Sequence, residues 1–300
     1  MEQLKGIFTA LLTPMLDNDE IDFESLERHI RHQIDAGIRG FYVGGSTGEG
    51  FMLSLEEREQ LLEAVIQACG KQVPVIAHAG CIGTNDTVRL AKHAERAGAA
   101  AVSAVVPFYY KPSPAEIRRH YEKVMAAASL PMIIYHFPGA TGVSLDLGFY
   151  EEMALHPQCA GVKFTSLNLY EMEQIRARCG EDFLIYNGHD EVYAGGALLG
   201  ADGAIGSTMN MMPHLFTEMH VRSKAGDWAS LRPLQRAANA IIADMTTYDV
   251  IPYEKYMLYL QGVIASPKTR EPLKQLDAEE TRRIRAFYET NDALMRYAVR

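Results

Sequence analysis

Eight short β-rich runs begin near Ile7, Gly40, Val73, Ala100, Met132, Gly161, Phe183 and Ala204, and segments of helical period lie between most of them. Residues 226–300 carry helical patterns and no strand signal. Together these observations predict an α/β fold, a closed (β/α)8 TIM barrel with a C-terminal helical extension. An open doubly wound sheet is the alternative, but the GxGxxG fingerprint expected after its first strand is absent. Three hundred residues, 48% of them hydrophobic, suffice to bury a core of that size.

The connecting helices follow in order. Residues 22–36 place Phe23, Leu26, Ile30 and Ile34 on one face, with Gly37 as a stop. Ser54-Leu55-Glu56-Glu57 reads as a capping box, opening a helix that turns Leu61, Leu62, Val65, Ile66 and Cys69 inward. The helix over 84–97 ends at Gly98, and Pro112-Ser113-Pro114 starts the one that carries Ile117 and Tyr121. Further helices are predicted over 145–155, 167–178, 191–199 and 214–224, which completes a barrel domain of residues 1–225. The extension, 226–300, reads as helices over 228–244, 253–263 and 278–297.

Composition excludes several roles. A net charge of −9 argues against a general nucleic-acid or anionic-membrane surface, since both need a positive field. No apolar run approaches the ~18 residues of a membrane span, and the first residues show no basic or apolar signal segment. Four cysteines with neither CxxC nor zinc spacing fit a reduced, cytoplasmic protein. Cys81, beside a glycine, is read as a buried inert thiol, with a reactive thiol as the alternative.

Lys163 stands out. It sits in Ala160-Gly161-Val162-Lys163-Phe164-Thr165, an apolar run predicted as the sixth strand. A buried ammonium must be paired or give up its proton, and a neutral lysine can form a Schiff base with a ketone. The alternative is a lysine that snorkels from the strand end beside a core tyrosine. Tyr135 ends the fifth strand, and in a barrel both residues fall at the functional, C-terminal face. That rule also gathers the loop Gly44-Gly45-Ser46-Thr47-Gly48-Glu49-Gly50, the turn Gly188-His189-Asp190-Glu191 and the segment Gly206-Ser207. The glycine-rich loop can form an anion nest but lacks the Gly-Lys-Ser/Thr of a nucleotide loop, so a single carboxylate held near Ser46 and Thr47 fits better. Asp190 and Glu191 read either as a stabilised helix start or as acceptors for sugar-like hydroxyls. No metal set is evident among the ten histidines. His29 and His32 read as solvated, His78 as a hydrogen-bonded core residue, and His136 and His189 as candidates to line the site.

Five ordered motifs resemble the N-acetylneuraminate lyase/dihydrodipicolinate synthase family of class I aldolases. They are Gly44-Gly45-Ser46-Thr47-Gly48-Glu49, Pro107-Phe108-Tyr109-Tyr110, Tyr135-His136-Phe137-Pro138, Gly161-Val162-Lys163-Phe164-Thr165 and Gly203-Ala204-Ile205-Gly206-Ser207. The resemblance covers nearly the whole chain. It implies a homotetramer, no cofactor beyond a covalent Schiff base on Lys163, and catalytic roles for Lys163, Tyr135, Ser46 and Tyr109. Tyr109 is implied to reach a neighbouring subunit's site. Thr47, Thr165, Gly188, Asp190, Glu191, Gly206 and Ser207 are implied to bind substrate. Ala140 stands where the synthases typically carry an arginine for a second substrate carboxylate, so the resemblance leans toward the lyases, whose substrate is a sugar acid and whose product is pyruvate. His136 and His189 depart from the family's usual residues. Another pyruvate-dependent 2-keto acid aldolase or dehydratase is the nearest alternative, and a non-catalytic sugar-acid binding protein is a third.

Overall fold

The computed structural model describes residues 1–297, so the end of the predicted extension, 298–300, lies outside the described residues. Eight parallel strands close in chain order: β1 (Gly6–Ala10), β2 (Gly40–Val43), β3 (Val75–His78), β4 (Ala101–Val105), β5 (Met132–His136), β6 (Cys159–Phe164), β7 (Leu184–Asn187) and β8 (Gly203–Gly206). Pairing of β8 back onto β1, with Ile7 opposite Ala204, leaves no free sheet edge. Each strand is buried along its length, as a parallel sheet wrapped by helices requires.

Helices α1 (Phe23–Asp35), α2 (Leu55–Cys69), α3 (Thr84–Ala97), α4 (Pro114–Ala127), α5 (Pro138–Thr141), α6 (Leu147–Ala154), α7 (Leu169–Cys179), α8 (Tyr193–Leu198) and α9 (Pro213–Lys224) accompany the strands. The predicted capping boxes at Ser54/Glu57 and Ser113/Glu116 are both formed, and Gly98 ends α3 in the left-handed conformation. Two side chains of α1 differ from expectation. Phe23, at the first helical position, is exposed rather than inward. His29 is buried rather than solvated, because α1 has a second, polar inner face: its Nε2 lies 2.8 Å from Asn210 Oδ1, and Asn210 in turn donates to the Ala10 carbonyl of β1. Burial holds the His29 imidazole down to about 4.

The extension comprises α10 (Trp228–Met245), α11 (Val250–Leu260), α12 (Ala278–Thr290) and α13 (Asp292–Tyr297). The single last helix read from the sequence is two, because Asn291 interrupts it and its Oδ1 caps the Leu294 N–H. Leu231, Ala238, Ile241, Met257 and Ile284 of the extension share one apolar core with Leu215, Phe216 and Met219 of α9. No helix among the described residues is long and apolar enough to cross a membrane.

The extension also grips the glycine-rich loop. Glu49, buried and in a left-handed backbone conformation (φ 58°), forms an ion pair with the fully buried Lys255 of α11. Its other oxygen accepts from the Arg270 backbone N–H at 2.7 Å, and Lys255 also donates to the Lys268 carbonyl at 2.7 Å. Arg270 holds Glu57 of α2 with two parallel bonds of 2.8 Å. Removing one partner of such a pair strands the other charge in a dry site, so Lys255→Met should lose about 3–5 kcal/mol in urea unfolding. Adding Glu49→Gln to that variant should recover part of the loss.

Candidate active site

The register of three adjacent strands builds the centre of the site. Tyr135 of β5 lies opposite Lys163 of β6, and Lys163 opposite Tyr186 of β7. Lys163 and Tyr135 come together at the C-terminal end of the barrel, as anticipated. The Lys163 Nζ stands 4.2 Å from the centroid of the Tyr135 ring and 4.4 Å from that of Tyr42 on β2. Lys163 is only 5% exposed. Lys5, Lys255, Lys268 and Lys274 each meet a carboxylate, whereas Lys163 meets none among the described residues. Burial therefore dominates and lowers its pKa to about 7, against the weaker pull of the Asp190 carboxylate. The aromatic faces favour the cation but do not cancel its lost hydration.

The Tyr135 phenol is pushed up to about 12 by burial, with the hydroxyls of Ser46 and Thr165 beside it acting in the other direction. It is a neutral O–H near neutral pH, able to pass a proton along hydroxyls rather than to act as a free base. Phe137 stacks on its ring at 5.9 Å, and Tyr42 meets it edge-on at 6.0 Å.

The loop bearing Ser46 and Thr47 is held from several sides. Thr13 Oγ1 donates to the Gly48 carbonyl at 2.8 Å. His78 accepts the Val105 N–H at Nε2, which leaves Nδ1 protonated to donate to the Gly44 carbonyl at 3.0 Å. His78 is thus the hydrogen-bonded core residue expected of it. Cys81 is half-buried, its thiol pushed up by burial although Arg58 lies beside it, which fits the inert reading.

Across the cavity, Asp190 is buried. Its Oδ2 accepts from the Thr208 N–H at 2.9 Å and from the Thr208 hydroxyl at 2.7 Å, while Oδ1 has no partner among the described residues. Burial raises its pKa. Glu191, half-buried in the same turn, pairs with His189 Nδ1 at 3.0 Å. Burial presses Glu191 upward, but the His189 contact and a hydrogen bond from its own backbone N–H together hold the carboxyl below its ordinary range. Gln235 and Asn239 of α10 donate to the Asp190 and Glu191 carbonyls at 2.9 and 3.0 Å, so the extension fixes this turn. Two glycines are obligatory for space. A Cβ at Gly188 would stand 2.1 Å from Thr165 Oγ1, and one at Gly206 would stand 1.7 Å from Asp190 Oδ1.

Ser46, Thr47, Tyr135, Lys163, Thr165, Gly188, Asp190, Glu191, Gly206 and Ser207 all line one cavity of about 400 Å³, together with His189. Its roof is made of Ile242 and Met245 from α10, Thr246 at the end of that helix, and Val250 and Ile251 from α11. Two sequence candidates lie elsewhere. His136 points away from the barrel axis, stacks on Phe164 at 4.9 Å and does not line the cavity, because alternate residues of a strand face opposite sides. Tyr109 is 78% exposed, in a left-handed backbone conformation (φ 79°), and does not line this chain's cavity. Tyr42 and the roof residues were not anticipated, since an aromatic in a barrel strand and an amphipathic helix both read as ordinary core. Among the described residues no group of three or more His, Cys, Asp or Glu is placed to hold a metal ion.

Comparison with known proteins places this geometry in a family. The family model described as the dihydrodipicolinate synthetase family matches residues 3–290. The N-acetylneuraminate lyase of Enterobacter sp. (strain 638) is 41% identical over 272 residues, covering 90% of this chain and 91% of that protein. The N-acetylneuraminate lyase of Salmonella agona is 42% identical over 275 residues, covering 91% and 92% respectively. Among solved structures, the sialic acid aldolase of Ruminococcus gnavus superposes with a TM-score of 0.94 at 30% identity, covering 98% of this chain and 99% of that one. A Clostridium difficile protein solved in complex with mannosamine gives a TM-score of 0.93 at 34% identity, with coverage of 96% and 99%. The chain belongs to the dihydrodipicolinate synthetase family.

Proposed function

We propose that the protein is a Schiff-base aldolase that reversibly cleaves N-acetylneuraminate into pyruvate and N-acetylmannosamine. The observation that carries this reading is the buried Lys163 amine, unpaired by any carboxylate among the described residues and facing the same cavity as Tyr135 and the Ser46-Thr47 loop. The two lyases at about 40% identity support the choice of sugar acid, as does Ala140, which offers no guanidinium to a second carboxylate.

The substrate carboxylate rests on the Ser46-Thr47 loop, and neutral Lys163 attacks the adjacent C2 ketone. Loss of water from the adduct gives an iminium, which draws the electrons of the C3–C4 bond into an enamine. The C4 hydroxyl proton leaves in the same step through the Tyr135 phenol, whose high pKa makes the neighbouring Ser46 hydroxyl and the substrate carboxylate necessary to the relay. Protonation of the enamine carbon and hydrolysis release pyruvate and free the lysine. Thr165, Gly188, Gly206 and Ser207 shape the pocket, and Asp190 and Glu191 accept the hydroxyls of the sugar chain. The protein works in this reading as a cytoplasmic homotetramer without a cofactor, and Tyr109 of one copy extends the hydroxyl relay of a neighbour. The exposure and left-handed backbone of Tyr109 support that role.

Borohydride with pyruvate should reduce the imine to a 1-carboxyethyl group on Lys163, read by peptide mass spectrometry; an unmodified Lys163 in folded protein overturns the reading. Lys163→Ala should abolish turnover, while Tyr135→Phe should lower kcat about 10²–10⁴-fold with trapping still detectable. A Lys163 pKa near 7 means that the reactive amine is present above that pH and lost below it. The rate of pyruvate trapping should therefore rise about tenfold per pH unit toward neutrality and level off above it. Pyruvate release from 2-keto-3-deoxy sugar acids but not from N-acetylneuraminate would replace the lyase with the neighbouring aldolase activity.

A further inference from the structure

The turn after β7 holds a histidine that the chemistry above does not use. His189 lines the cavity, and its Nδ1 lies 3.0 Å from Glu191 Oε1. Phe137, another lining residue, meets the imidazole nearly at right angles, with ring centroids 6.2 Å apart. The backbone of the turn is fixed at both residues of the pair. Asn187 donates to the His189 carbonyl at 2.7 Å, and Asn239 of α10 donates to the Glu191 carbonyl at 3.0 Å. The Glu191 carboxylate itself has less support. Its side chain is 36% exposed, and among the described residues the His189 ring is the one side chain that bonds to it. Asp190 beside it is held differently, with one oxygen on the Thr208 N–H and hydroxyl.

We propose that His189 is a positioning residue for substrate specificity, whose ring holds the Glu191 carboxylate ready for the distal hydroxyls of the acceptor sugar. The inference rests on the lyase reading above, in which Glu191 accepts those hydroxyls. An ionised carboxylate can only accept, so the shared proton belongs to Nδ1 and the ring is the donor. A glutamate side chain is among the costliest to order, because it has several rotatable bonds to fix. Without a partner it would be ordered only as substrate binds, and affinity would fall by that cost. Held by His189, it is ordered beforehand. The ring can do this because Phe137 and the bonded backbone of the turn set its own position. Phenylalanine in its place keeps a ring against Phe137 but has no donor, whereas asparagine puts an amide N–H close to where Nδ1 stands. The pyruvate half of the substrate meets Lys163 and the Ser46-Thr47 loop, so the gain falls on the sugar half.

The test measures condensation of pyruvate with N-acetylmannosamine and with glyceraldehyde, which lacks the distal hydroxyls. In the full-length protein, His189→Phe should raise the KM for N-acetylmannosamine about two- to tenfold, the value of ordering one such side chain. Both kcat and the KM for pyruvate should stay within about twofold of wild type. Selectivity for N-acetylmannosamine over glyceraldehyde, as a ratio of kcat/KM values, should fall in step with the rise in KM. His189→Asn should keep most of the wild-type selectivity. Because the ring acts through Glu191, His189→Phe should add nothing to Glu191→Ala. Pyruvate trapping on Lys163 reports that each variant is folded, and His189→Leu replaces His189→Phe if the latter does not trap. An equal loss with both aldehydes, or no loss with N-acetylmannosamine, overturns the role of His189. So does an asparagine variant as poor as the phenylalanine one, or an effect that multiplies with Glu191→Ala. Wild-type protein that traps pyruvate yet makes no product with N-acetylmannosamine overturns the lyase reading, and this inference with it.

Discussion

Keeping the Lys163 amine away from water costs several kcal/mol in its charged form, and the arrangement of the barrel mouth follows from how that cost is met. Tyr42 and Tyr135 place their ring faces against the amine, which excludes water without supplying a counter-charge. A contacting carboxylate would have restored a high pKa and kept the amine charged. Asp190 is near enough to be felt, but its Oδ2 is engaged by Thr208 on the far side. The result is an amine whose proton is easily lost, in a cavity that keeps acceptors at one end and a hydroxyl loop at the other.

The barrel does not finish this site alone. Gln235 and Asn239 fix the turn of Asp190 and Glu191, Lys255 and Arg270 hold Glu49 at the base of the glycine-rich loop, and α10 and α11 supply the roof. The extension is thus a working wall of the pocket. The cavity has two sources in consequence: strand ends, which carry Lys163 and Tyr135, and extension helices, which bound its other side.

Much of this was legible in the sequence because the informative residues contradict their surroundings. A lysine in Gly161-Val162-Lys163-Phe164 and a glycine-rich loop after a strand announce themselves, and the strand-helix alternation locates both at one face. The strands begin within two residues of their predicted starts, since short apolar runs flanked by caps leave little freedom. Residues that match their surroundings were harder to read. Glu254 and Lys255 adjoin on a helix and look like an ordinary solvated pair, yet α11 is covered on both sides. His29 falls off the apolar stripe of its helix but on a second buried face created by Asn210, 181 residues away. His136 belongs to a motif of the site, and only strand alternation decides that it faces the other way.

The tie between Glu49 and Arg270 has a consequence for the order of events during synthesis. The glycine-rich loop, which we propose receives the substrate carboxylate, leaves the ribosome early, but the backbone amide that secures it is made 221 residues later. Until then Glu49 also lacks Lys255, and its left-handed backbone has little to hold it. A nascent chain can therefore close much of its barrel while the anion loop is still unsecured. Truncated products of translation would carry the lysine without the pocket that makes it selective, and reactivity is joined to selectivity only as the last part of the chain docks.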